Sequence, residues 1–298
     1  MSNFLLIFLC LGAGMILQRR RDIPSSTAQA LNLYVIYMAL PALVLAQMPK
    51  LQFSAELLVP IIMPWLLLAV GALLVLSGQR LFNWSREVSG CLLLCVPLGN
   101  TSFLGIPMVT AFFGAELVPY AVIYDQLGSF IALSTYGTLV LASYEEGSTP
   151  QPGKIIAKIA TFPPFLALVL AFVLRFYEYP PALATTLDRI GASLVPVVMV
   201  AVGLQLKIRL PGPFVVPFSY GLVVKLLVAP LVALVGCKML GLNSDAARIA
   251  IFESGMPPMV TAGALALAAG LAPELAAALV GWGIVISFAT LTGLFWLM

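Results

Sequence analysis

Three ionisable side chains, Asp125, Lys225 and Glu253, fall well inside apolar runs of this chain. A charge at the centre of a membrane costs roughly 2.5 to 3.5 kcal/mol on insertion scales, so such groups face a cavity, pair with each other or titrate. Glu253 opens the stretch Glu253-Ser254-Gly255-Met256-Pro257-Pro258, and Asp125 with Gln126 follows a second polar island, Pro97-Leu98-Gly99-Asn100-Thr101-Ser102-Phe103-Leu104-Gly105-Ile106-Pro107. Proline removes a backbone donor and glycine weakens a helix, so both islands break the helices that carry them. In lipid, irregular backbone survives only where protein or a water-filled cavity covers it. The chemistry these groups suit is ion binding. Half-helices starting at about Thr101 and Met259 direct free N–H groups and positive dipole ends at an anion. Glu253, and secondarily Asp125 with Gln126, are candidates to hold a coupling cation or proton. Lys225 suits a counter-ion to either acid or to a substrate carboxylate. Asn100, Thr101, Ser102, Pro257, Pro258, Tyr37 and Lys225 form the candidate substrate-binding set, and Asn32, Tyr34 and Gln205 are further candidates to line a cavity.

The elements that must position these residues are membrane helices. Of 298 residues, 61% are hydrophobic and 9% charged, and mean hydropathy is +1.07. Apolar stretches of about 15 to 25 residues recur throughout, leaving little for a soluble domain. The chain is predicted to be an all-α integral membrane protein with ten transmembrane helices, at about 4–17, 27–47, 57–77, 87–113 (broken), 117–143, 155–175, 182–206, 214–237, 245–270 (broken) and 273–297. Histidine is absent, which removes the commonest metal ligand and proton shuttle. Cys10, Cys91, Cys95 and Cys237 all lie in predicted spans, where small apolar packing residues are expected and a disulfide framework is not. The net charge of +3 is small and dispersed over loops, which excludes nucleic acid as a partner class.

Phe4 to Leu17 is too poorly matched to a secretory signal to be read as one, because Arg19, Arg20 and Arg21 follow the apolar segment. On the ten-span count, Arg19, Arg20, Arg21, Arg80, Arg86, Lys154, Lys158, Lys207 and Arg209 fall in inner loops, against Lys50, Arg175, Arg189, Lys238 and Arg248 outside. That asymmetry predicts both termini outside a plasma (inner) membrane.

Tyr144 to Gly153 reads as a flexible linker and divides the chain almost in half. An offset of 158 positions carries Glu87 onto Asp245, Gly105 onto Gly263, Glu116 onto Glu274, Val122 onto Val280 and Ser129-Phe130 onto Ser287-Phe288. The expected organisation is therefore a 5+5 inverted repeat, residues 1–143 and 154–298, with two broken helices (the fourth and ninth) crossing near the midplane.

Gly99-Asn100-Thr101-Ser102-Phe103-Leu104-Gly105-Ile106-Pro107 resembles the Gly-Asn-x-x-Phe-Leu-Gly-x-Pro signature of the auxin efflux carrier family of permeases. The resemblance extends to Met256-Pro257-Pro258, the length and the helix count. It implies a scaffold of about 1–47 and 155–206 beside a transport domain of about 57–143 and 214–298, with a small organic anion such as auxin or a dicarboxylate held at the crossover. Unlike the plant exporters, this chain has only a short central loop, so their phosphorylation control does not carry over. Glu253-Ser254-Gly255-Met256 is also similar to the Glu-x-Gly stretch of the bile acid sodium symporter family, which shares the fold. That similarity implies a sodium ion held by Glu253 and Ser102 with oxygens of Asn100 and Thr101; proton coupling through Glu253 or Asp125 is the other reading.

No catalytic constellation, Walker-type loop or Gly-x-Ser-x-Gly elbow is present in the sequence, so an enzyme or primary pump is not expected. The expected function is a secondary active transporter moving a small organic anion by alternating access, coupled to Na+ or H+ in symport. A channel or a ligand-sensing receptor on the same fold is the alternative. Beyond sodium no cofactor is expected; the partners are the organic anion and the lipid bilayer, with a second copy of the chain a candidate.

Overall fold

In an apolar solvent every backbone N–H and C=O must find its partner inside the chain, and the computed structural model accordingly builds almost everything as helix. It describes residues 2–20, 22–24, 26–51, 54–144, 151–206 and 212–298. Most of the predicted central linker, together with Arg21, Lys207 and Arg209 of the charge count, lies outside the described residues.

The helices in chain order are α1 (Ser2–Leu17), α2 (Thr27–Lys50), α3 (Ala55–Phe82), α4 (Arg86–Cys95), α5 (Thr101–Phe113), α6 (Ala115–Tyr144), α7 (Pro152–Ala160), α8 (Pro163–Leu174), α9 (Pro181–Gln205), α10 (Gly212–Met239), α11 (Asp245–Ser254), α12 (Val260–Ala268) and α13 (Pro273–Leu297). Among the described residues no strand forms, and the single extended pairing is an isolated antiparallel bridge between Gly99 and Pro258. Among the described residues six helices can cross a membrane by length and composition: α2, α3, α6, α9, α10 and α13. A seventh span arises if α7 and α8, bent by 58°, are taken together. The protein is thus a multi-span integral membrane protein, and α1, α4, α5, α11 and α12 are too short to cross singly.

The chain clusters into two compact units. The first comprises Met1–Ser54, Ser102–Val122 and Ile156–Leu206; the second comprises Ala55–Thr101, Ile123–Ile155 and Lys207–Met298. In the first unit α1 lies directly on the C-terminal half of α9. Two glycines permit it: a Cβ on Gly14 would stand 2.3 Å from the Val200 carbonyl, and one on Gly203 would stand 2.3 Å from the Leu11 carbonyl. Small residues let membrane helices approach this closely, since apolar burial alone does not drive them together in lipid. Gln18 then donates to the Leu204 carbonyl at 2.8 Å, and the Tyr34 and Ser193 hydroxyls pair at 2.8 Å.

In the second unit a buried apolar cluster includes Leu92, Leu94, Cys91 and Cys95 of α4 and Leu275 and Leu279 of α13. All four cysteines are free thiols. Prolines and glycines interlock across the helices: a Cβ on Gly128 would lie 2.2 Å from the Pro64 ring, and one on Gly283 would lie 2.6 Å from that of Pro258.

Candidate functional site at the paired helix breaks

α4 and α11 start alike. Ser85 caps the first, its hydroxyl accepting from the Val88 N–H at 3.4 Å, and Ser244 caps the second, accepting from Ala247 at 3.3 Å. Each is followed by an acid within the first turn, Glu87 or Asp245, which complements the positive end of the helix dipole. Both helices run ten residues and stop. The caps stand 159 positions apart, as do Gly99 and Pro258.

Each helix stops where proline ends the supply of donors, and the orphaned backbone of one break satisfies that of the other. The Asn100 N–H donates to the Pro257 carbonyl at 2.8 Å, and the Met259 N–H donates to the Leu98 carbonyl at 3.0 Å. The two predicted islands, whose bonded residues stand 157 and 161 positions apart in the chain, are thus one backbone junction.

Around this junction the second unit gathers most of the predicted polar residues. Asp125 is buried and accepts from the Thr101 hydroxyl at 2.5 Å and from the Gln126 amide at 2.6 Å. Lys225, also buried, donates to the Ser254 carbonyl at 3.4 Å. Glu253 is fully buried, and neither carboxylate oxygen has a hydrogen-bond partner among the described residues. The Asn100 amide nitrogen and the Gln126 amide oxygen are likewise buried and unpartnered. Asp125 and Lys225 both lie within electrostatic reach of Glu253. Lys225, Glu253, Thr101 and Gly99 line a common internal space of about 10 Å³, completed by residues that include Tyr124 and Ser129. A space of that size is at the lower limit for one water molecule.

Pro257 and Pro258 sit buried at the junction itself. Ser102 is half-buried, the first residue of the chain's crossing into the other unit. Tyr37 belongs to that first unit and is 61% exposed, so it is not among the gathered residues. There too, Asn32 has an unpartnered amide oxygen and Gln205 donates to the Ala201 carbonyl of its own helix at 3.1 Å. The first unit holds a larger pocket of about 380 Å³, lined largely by apolar residues with Asn3, Gln47, Thr110 and Asp188.

One feature of the site was missed by the sequence. Asp125 and Gln126 ride on a π-helical stretch (Tyr124–Phe130), Lys225 on another (Val224–Val228) and Thr101 on a third (Thr101–Gly105). A π-turn widens the helix by one residue and re-aims its side chains, and such turns recur at functional sites. Their only advance signal is the polar residue itself inside an apolar run.

The chain is 28% identical over 242 residues to an uncharacterized transporter of Methanocaldococcus jannaschii, covering 77% of this chain and 76% of that protein. It is 25% identical over 287 residues to an uncharacterized transporter of Methanothermobacter thermautotrophicus, covering 93% of this chain and 91% of the other. The profile of the membrane transport protein family matches residues 1–296, and with that match over nearly its whole length the chain belongs to this family of auxin efflux carrier-like transporters.

Proposed function

We propose that this protein is a secondary active carrier for a small organic anion, auxin-like or a mono- or dicarboxylate, working by alternating access with a coupled cation, Na+ or H+. The observation that carries the reading is the joining of two helix breaks into one buried polar junction, in a chain that otherwise offers lipid an apolar surface. Carriers of inverted-repeat design bind substrate between discontinuous helices near the midplane. On this reading α4 with α5 and α11 with α12 are the two broken spans of a ten-span 5+5 repeat, crossing at Gly99 and Pro258. The half-helices that begin at Thr101 and Val260 offer N–H groups to the substrate carboxylate, assisted by Asn100, Thr101, Ser102, Pro257, Pro258 and Lys225; Tyr37, exposed in the first unit, is left out of this set. Glu253 and Asp125, with Asn100, Thr101, Gln126 and Ser102, are the groups assigned to the coupling cation. Helices of about 57–143 and 214–298 form the moving domain, against a scaffold of about 1–47 and 155–206. We place the protein in the plasma (inner) membrane with both termini outside.

The unpartnered Asn100 amide supports the anion assignment, since a buried N–H donor without an acceptor is costly and a bound carboxylate would satisfy it. The test is reconstitution in proteoliposomes with labelled mono- and dicarboxylates, guided by a thermal-shift screen, because a ligand stabilises the state it binds. Saturable, gradient-dependent uptake supports the carrier. A cysteine placed at Thr101 is expected to change the side from which it is labelled when substrate and cation are added. Labelling from both sides at once identifies a channel, and ligand-induced stabilisation without any flux identifies a receptor.

A further inference from the structure

A cation site built from broken helices uses the C-terminal end of a half-helix, carbonyls released by the break and a nearby acid. The end of α11 supplies all three: the helix stops at Ser254, the chain turns at Gly255, and Glu253 is buried with both oxygens unpartnered. The position is already taken. Lys225 reaches it from α10, and its ammonium donates to the Ser254 carbonyl. On the other side the ammonium lies against the first break, where a Cβ added to Gly99 would stand 3.0 Å from Nζ. Glycine at that position leaves the space the ammonium fills.

The surrounding carbonyls are engaged as well. Those of Phe252 and Glu253 accept from the N–H groups of Gly255 and Met256, that of Gly99 accepts from Thr101, and those of Leu98 and Pro257 form the junction. Among the described residues no third Asp, Glu, Cys or His joins Asp125 and Glu253 in a ligand cluster. The space left beside Lys225 and Glu253 is about 10 Å³. A second cation there would stand within a few ångströms of a fixed ammonium, in surroundings of low dielectric where like charges repel strongly.

We infer that the Lys225 ammonium is a resident cation, holding between the two breaks the position an exchangeable sodium ion would need, so that this carrier works without sodium. The inference rests on the carrier reading and selects between its coupling ions. It also gives Gly99 a role, because any side chain there would press on the ammonium.

The test has a binding arm and a transport arm. In detergent at about 0.15 M salt, wild-type protein is expected to melt at the same temperature in sodium chloride and in choline chloride. Lys225→Ala vacates the position, and its melting temperature is expected to rise with added sodium or ethylammonium but not with choline, following mass action. Saturable stabilisation of the wild type by sodium over choline overturns the inference, as does a folded Lys225→Ala variant indifferent to both small cations. If that variant does not fold, the wild-type comparison and the transport arm decide. Proteoliposomes with choline in place of sodium on both sides are expected to take up the carboxylate at an undiminished rate, and a several-fold loss overturns the inference while leaving the carrier reading intact. Absence of carboxylate uptake under every ionic condition counts against the carrier reading, and the melting comparison then decides the inference by itself.

Discussion

Asn100 and Pro257 are joined backbone to backbone, the amide of one donating to the carbonyl of the other at 2.8 Å, while the Asn100 side-chain nitrogen is left buried without an acceptor. The main chain of Asn100 therefore ties the two breaks together, and the side-chain N–H groups take no part in that tie. Replacing the side chain should separate the two roles. Asn100→Leu is expected to fold, because the bridging N–H remains, and to lose binding of the carboxylate found in the thermal-shift screen. Unchanged affinity in the folded variant would remove Asn100 from the substrate site.

Thr101 and Asp125 give a second separable pair. The Thr101 hydroxyl donates to Asp125 at 2.5 Å, a bond to a buried carboxylate. Hydrogen bonds to charged groups contribute about 1.5 to 3 kcal/mol, so Thr101→Val should destabilise by that order while Thr101→Ser, which keeps the donor, should cost much less. Thermal unfolding in detergent measures the difference. Equal losses in the two variants would mean that packing of the methyl group, and not the hydrogen bond, matters at this position.

Glu253 is fully buried, with both oxygens unpartnered among the described residues. Glu253→Gln retains the shape and one oxygen but neither charge nor titration. It is expected to abolish uptake driven by a cation gradient while equilibrium exchange of substrate continues. Gradient-driven uptake at the wild-type rate by this variant would sink the coupling assignment.

The close contact of Gly128 with Pro64 makes a prediction about stability alone. A Cβ on Gly128 would lie 2.2 Å from the proline ring, which cannot rotate away. Gly128→Ala should lower stability by about 1 to 3 kcal/mol, the range for overpacking a core. Gly236→Ala, in the interior of α10 with nothing within 4 Å, is the control and should be neutral or slightly stabilising. The two melting temperatures, compared in the same detergent, check the pair.

Composition alone determined the solvent and hence the class. A chain 61% hydrophobic has to satisfy its backbone internally, and uninterrupted helix is the cheapest way to do so. Local residue chemistry likewise placed both breaks, because proline and glycine act on their own backbone wherever they stand: α4 ends at Cys95 before Pro97, and α11 ends at Ser254 before Pro257. The Gly-Asn-x-x-Phe-Leu-Gly-x-Pro stretch was enough to point to the family. Tertiary structure decided what each break is paired with. That Asn100 bonds Pro257, that Lys225 rests on the Ser254 carbonyl and that Thr101 meets Asp125 depend on helix placement across the second unit. The π-turns under Asp125, Lys225 and Thr101 were also invisible in advance, since a single inserted residue leaves the apolar run that carries it unchanged in composition.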